Sequence, residues 1–159
     1  MCDIAKGQMC GIPSPLWWRA LVSVLWDTGE RIGAVLSADW QRLSGAVLLV
    51  PACTRKGKTR DKIYTLHSDT VALVNAMRQH YQGDRLFPYV CCVETLGNRY
   101  RTMLTRAGLP SDRKHLFHCI RRSVASHAAA SGADASLILD HSDPSITRRY
   151  YLSSTGKTG

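Results

Sequence analysis

The chain has 159 residues, of which 45% are hydrophobic and 21% charged, a globular composition within the usual size of one domain and sufficient for a core. Its 21 Lys+Arg against 12 Asp+Glu give a formal charge of +9, which favours a polyanionic partner, nucleic acid or an acidic membrane surface. No apolar run approaches the roughly 18 residues that span a bilayer, and the start MCDIAKGQMCGIPSP lacks the basic and apolar regions of a signal peptide. A cytoplasmic place is therefore expected. Cys2, Cys10, Cys53, Cys91, Cys92 and Cys119 form no CxxC pair and no repeated spacing, so reduced thiols are expected, not staples or a zinc site.

Residues 1–13 show no periodicity and read as a loose start. Ser14-Pro15 is a helix-start signal, with serine as cap and proline at the first helical position. Leu16, Trp17, Leu21, Val24 and Leu25 follow at helical spacing. Trp17, Trp18 and Trp26 are assigned to packing, because aromatics fill cores more often than they stack on bases. Asp27-Thr28-Gly29 breaks this helix, and 30–37 reads as a second, short one. The segments 46–53 and 62–66 are β-like and flank a basic turn, which predicts a hairpin. Ser68-Asp69-Thr70 caps a helix running through Val71, Val74, Met77 and Tyr81. Further helices are expected over 96–107, 115–131 and 134–139, with a last one beginning at Asp143-Pro144. The expected fold class is α+β, mainly helical, with a small antiparallel sheet.

Two arginines, two histidines and a tyrosine draw attention: Arg31, Arg121, His118, His141 and Tyr150. Arginine offers a planar fork to two phosphate oxygens, and histidine moves a proton near neutral pH. Tyrosine can act as a covalent nucleophile. The set suits holding a phosphodiester while a phenol oxygen attacks it, with positive charge supplied by side chains and no metal or cofactor required. Taken singly, each residue has a plainer reading. Arg31 follows a glycine turn suited to anions but alone is more often a surface arginine. His118 and Arg121 lie on one helix face at i and i+3, a common surface pairing, while Arg122 points elsewhere, towards a DNA backbone or solvent. As a phosphate clamp, Arg121 is expected to face the surface, so its removal would spare folding. His141 precedes a cap and proline start, and Tyr150 follows nine positions later.

The ordered set TGERIGAVLSADW, TRKGKTRDKIYTL, HCIRRSVASHAAASGAD and LDHSDPSITRRYY resembles the tyrosine recombinase (phage integrase) family, specifically its catalytic domain, over roughly 14–152, leaving 153–159 as a short polar tail. The resemblance implies an integrase-like fold and metal-independent cutting and rejoining of DNA through a 3′-phosphotyrosyl bond. It implies Tyr150 as nucleophile, with Tyr151 as packing, and Arg31 and Arg121 as clamps on the non-bridging oxygens. His118 would assist proton removal or bind phosphate, and His141 would hydrogen-bond the phosphate. A hairpin lysine, Lys56 with Lys58 as second choice, would protonate the leaving 5′ oxygen. Double-stranded DNA and an assembly of identical subunits, a tetramer on paired sites, are the implied partners, in a bacterial or phage-derived, nucleoid-associated setting.

Four departures stand out. Ala34 occupies the position where many members carry glutamate, and Asp140 replaces the usual glycine before His141. The stretch from Gly132 to His141 is about three residues shorter than in familiar members, by nearly one helical turn. The N-terminal domain that completes the family's clamp around DNA is not in this sequence. These departures motivate a DNA-binding remnant as an alternative, and shared phosphotyrosyl chemistry makes a type IB topoisomerase-like relaxer another.

Overall fold

The computed structural model describes residues 2–57 and 60–134, so His141, Tyr150, Tyr151, Lys58 and the helices expected beyond 134 lie outside the described residues. The organising element is α1, Ser14–Thr28. Pro15 sits in its first turn, where a missing N–H costs nothing. Ser14 itself begins the helix and makes no side-chain cap bond; Pro13 holds the cap position. Gly29, at φ 61°, ends it in a left-handed conformation that glycine adopts without strain, its N–H bonded to the Leu25 carbonyl at 2.9 Å.

Helical spacing buries Trp17, Leu21, Val24 and Leu25 together. Trp17 is 0% exposed, and its indole N–H donates to the Pro88 carbonyl at 2.9 Å, so burial leaves no polar group unsatisfied. Trp18 joins Tyr100 and Phe117 in a stack with centroids 5.8 and 6.3 Å away. Trp26 departs from the packing expected of it and is 44% exposed. At about 100° per residue, nine residues put Trp26 on the helix side opposite Trp17.

Around α1 stand α2, Ile32–Leu36, α3, Ser68–Arg78, α4, Val93–Arg106, and α5, Phe117–Ala130. His67, and not Ser68, caps α3: its ring nitrogen accepts from the Asp69 amide at 3.3 Å. The expected long helix from 115 is divided, because the Asp112 carboxylate caps a separate 3-10 turn, Arg113–His115, before α5 begins.

The segment expected to be loose is structured. A 3-10 turn, Cys2–Ile4, precedes β1, Gln8–Met9, and β2, Ile12–Pro13, which pair antiparallel. Cys10 and Gly11 both take positive φ, the geometry that a two-residue hairpin turn demands. Cys2, Met9 and Ile12 are buried against the main core. Strands this short carry no detectable alternation.

The second sheet has order β3-β4-β5, all antiparallel, with β3 at Leu43–Ser44, β4 at Val47–Val50 and β5 at Lys62–Thr65. Leu48 pairs with Tyr64 and Leu49 with Ile63, so Tyr64 shares the inner face of buried Leu48 while Ile63 points out. Hence the phenol, and not the isoleucine, faces inward. The result is the expected mainly helical α+β arrangement with a small antiparallel sheet. Among the described residues no helix is long and apolar enough to cross a membrane.

Candidate active site

Three elements converge where α1 ends. The turn after Gly29 carries Glu30 and Arg31, and Arg31 stands at the cap position of α2. The Thr28 hydroxyl ties this turn down by donating to the Val24 carbonyl at 2.7 Å and accepting from the Glu30 amide at 3.2 Å. The β4–β5 connection carries Arg55 and Lys56, braced where the Ala52 amide donates to the Asp61 carboxylate at 2.8 Å. One face of α5 supplies His118 and Arg121.

Three of the expected site residues, Arg31, His118 and Arg121, come together here, and Lys56 adjoins them through its backbone. The exposed Arg31 guanidinium donates from Nη1 to the Lys56 carbonyl at 3.4 Å, joining turn to hairpin. Arg121 donates from Nη1 to the Gly29 carbonyl, joining α5 to the same turn. His118 keeps an exposed edge, yet protein atoms crowd its inner side. Burial is the main reason its pKa is lowered, followed by the positive charges of Arg121, Arg122 and Arg31. The imidazole is thus held neutral near pH 7, in the form that accepts a proton. Arg122 is tied to its own chain by donating to the Lys114 carbonyl.

Arg121 corrects an expectation. It is 3% exposed, where a surface-facing clamp was anticipated. Helix α5 packs against α1, and position 121 falls on the buried side with Phe117, Ala125 and Ala128. Burying a guanidinium requires compensation, and this points to residues absent from the expected set.

Glu30 is 4% exposed and lies under the site. Its Oε1 accepts from Arg55 Nε at 2.6 Å and from the Tyr64 hydroxyl at 2.5 Å. Its Oε2 accepts from the Arg31 amide at 3.4 Å and lies 3.9 Å from Arg121 Nη1. Arg55, also 4% exposed, donates from Nη1 to the Arg60 carbonyl at 3.0 Å. The Tyr64 pKa is raised, first by burial and then by its hydrogen bond to Glu30 and that carboxylate's charge. Its phenol therefore stays protonated and serves as a donor. The inward placement of Tyr64 follows from its pairing with Leu48, which is fixed by the sheet and not by any local sequence signal. Nothing local distinguishes Glu30 from a solvated turn glutamate or Arg55 from its basic neighbours.

A second feature adjoins the site. An open groove of about 580 Å³ is lined by Trp26, Asp27, Thr28, Tyr64, His127 and Ala133 among others, with the Trp26 and His127 rings 5.9 Å apart. Among the described residues no cluster of three His, Cys, Asp or Glu side chains is placed to hold a metal ion.

Arg31, His118 and Arg121 thus lie together with the hairpin that bears Lys56 on a helical scaffold, and comparison with known proteins says which family this scaffold belongs to. The family model described as Phage integrase family matches residues 4–157, and the chain belongs to that family. Its fold is similar to that of XerA recombinase, with TM-score 0.70 and 21% identity over 86% of this chain and 53% of that one. A lambda integrase dimer bound to a COC′ core site superposes with TM-score 0.72 and 16% identity, covering 99% of this chain and 58% of that one. XerH site-specific recombinase bound to a palindromic difH substrate gives TM-score 0.72 and 19% identity, covering 97% and 46%. The chain thus spans about half the length of these structures. A search of curated proteins returns no match.

Proposed function

We propose that this chain cuts and rejoins double-stranded DNA at specific sites, acting as the catalytic part of a tyrosine recombinase. The observation that carries the reading is the convergence of Arg31, His118 and Arg121 with the hairpin that bears Lys56 at the end of α1. In this reading Arg31 and Arg121 grip the non-bridging oxygens of one phosphodiester and stabilise the charge that builds as it becomes five-coordinate. The Tyr150 oxygen attacks phosphorus, and neutral His118 takes the phenol proton. The bond from phosphorus to the 5′ oxygen breaks, and Lys56 gives that oxygen a proton. The product is a 3′-phosphotyrosyl bond and a 5′-hydroxyl. A 5′-hydroxyl from another strand then attacks the same phosphorus, returning the phenol. His141 donates a hydrogen bond to the phosphate.

The roles of Tyr64 and Tyr100 fit this assignment of the nucleophile elsewhere. The Tyr64 hydroxyl is committed to Glu30, and the buried Tyr100 ring has its pKa pushed up to about 12. Both are poor sources of phenolate. Assembly of several identical subunits on paired DNA sites belongs to the same proposal; the lambda integrase structure is of a dimer on DNA.

The test is a suicide DNA duplex, nicked so that the cleaved end diffuses away, incubated with wild-type protein and with Tyr150→Phe. The expected result is a covalent protein–DNA band with wild type that disappears in the variant. An equal band in the variant would refute the assigned nucleophile. Supercoil relaxation without strand exchange would favour a relaxing enzyme, and salt-sensitive DNA binding without any adduct would favour a binding module.

A further inference from the structure

We infer that Glu30 is a positioning residue whose buried carboxylate presets the two phosphate-gripping arginines and the lysine hairpin against one another. The inference rests on the recombinase reading above and deepens it. Glu30 is an anion that would repel a phosphate, and its carboxylate is already engaged by Arg55, Tyr64 and the Arg31 amide, so any influence on the reaction passes through its partners. Those partners come from three separate elements, each bearing a member of the proposed machinery. Arg55 precedes Lys56 in the hairpin, Arg121 belongs to α5, and the Arg31 amide follows Glu30 itself.

The two carboxylate oxygens divide the work. Oε1 is held tightly by Arg55 and Tyr64 at 2.6 and 2.5 Å, which fixes the hairpin against the turn. Oε2 meets Arg121 at the longer distance of 3.9 Å. Arg121 has the looser contact with this carboxylate, although its Nη1 also donates to the Gly29 carbonyl, so a phosphate reaching the site would leave the Arg55 anchor in place. Charge-assisted contacts at hydrogen-bond distance are the strong ones, so Arg55 is the firmer of the two arginine contacts with Glu30. Nearby Ala34 is buried too and brings no charge, so among the described residues the carboxylate that meets both Arg55 and Arg121 is that of Glu30. Supporting groups of this kind matter because small misplacements of reacting groups are costly in rate.

The experiment compares full-length wild type, Glu30→Gln and Tyr64→Phe on the suicide duplex. Adduct formation is measured at saturating DNA, together with the DNA concentration giving half the maximal rate, and thermal melting is followed in parallel. The expected result for Glu30→Gln is a rate at saturation reduced roughly 10- to 100-fold, in line with the cost of a displacement near 1 Å. The half-saturating concentration should change only about threefold, because the substitution removes no positive charge. Tyr64→Phe removes one hydrogen bond to Oε1 and should lower the same rate several-fold with little change in melting; it decides the matter if Glu30→Gln does not fold. Rates within twofold of wild type in the folded variants would overturn the positioning role while leaving the recombinase reading intact. An inert wild type on every suicide duplex would instead sink the functional reading, and this inference with it.

Discussion

Arg121→Ala separates the structure from the simpler picture of a surface clamp. In that picture the variant loses activity and keeps its melting temperature. The structure buries Arg121 and gives it a charge-assisted hydrogen bond to the Gly29 carbonyl, worth about 1.5–3 kcal/mol. Its 3.9 Å approach to Glu30 adds attraction, but desolvation offsets much of that for buried pairs. Truncation does not orphan the carboxylate, since Arg55 and Tyr64 still hold Oε1, and it relieves repulsion among neighbouring cations. A net loss of about 2–3 kcal/mol follows, which for a domain of this size corresponds to a fall of roughly 5–10 °C in Tm. Melting followed by circular dichroism at pH 7.5 reads this directly. Arg121→Lys keeps the charge but not the fork and should fall between the two. A Tm for Arg121→Ala within about 1 °C of wild type would refute the buried bridge between α5 and the Gly29 turn.

Other outcomes follow from the same geometry. His118 carries a lowered pKa through burial and then through Arg121, Arg122 and Arg31, so the unfolded chain binds its proton more readily than the folded one. Stability should therefore fall as pH drops below about 6.5 towards the depressed folded value. His118→Gln should lose less Tm than wild type between about pH 7.5 and 5; parallel curves would contradict the shift. Trp17→Ala should cost about 3–5 kcal/mol by urea unfolding, whereas Trp26→Ala, on the exposed side of the same helix, should cost less than about 1 kcal/mol. Equal costs would contradict the orientation of α1.

The sequence carried the helical scaffold well because α1, α4 and α5 owe their form to local spacing and to stops such as Gly29, Gly108 and Gly132. It carried the hairpin because two β-branched runs flank a basic turn. What it did not carry were features fixed by distant packing. The N-terminal strands are two residues each and gain order from Met9 and Ile12 reaching the core. The burial of Arg121 depends on α5 lying against α1. The ordered motifs named Arg31, His118 and Arg121, which lie near one another, and Lys56, whose backbone meets Arg31, since side chains of unusual type stand out in a sequence. Glu30 and Arg55 did not stand out, because a buried ion pair between residues 25 positions apart has no local pattern. Trp26 shows the reverse failing: residue type alone argued for the core, and helical phase put it outside.

The account turns on a phenol reaching the phosphate held at this cationic site. Trapping the covalent DNA complex, digesting both components and sequencing the nucleotide-bearing peptide by mass spectrometry tests that most directly. The account predicts a nucleotide attached through its 3′ phosphate to Tyr150. Attachment at Tyr151, at Tyr64 or through a 5′ phosphate would contradict it.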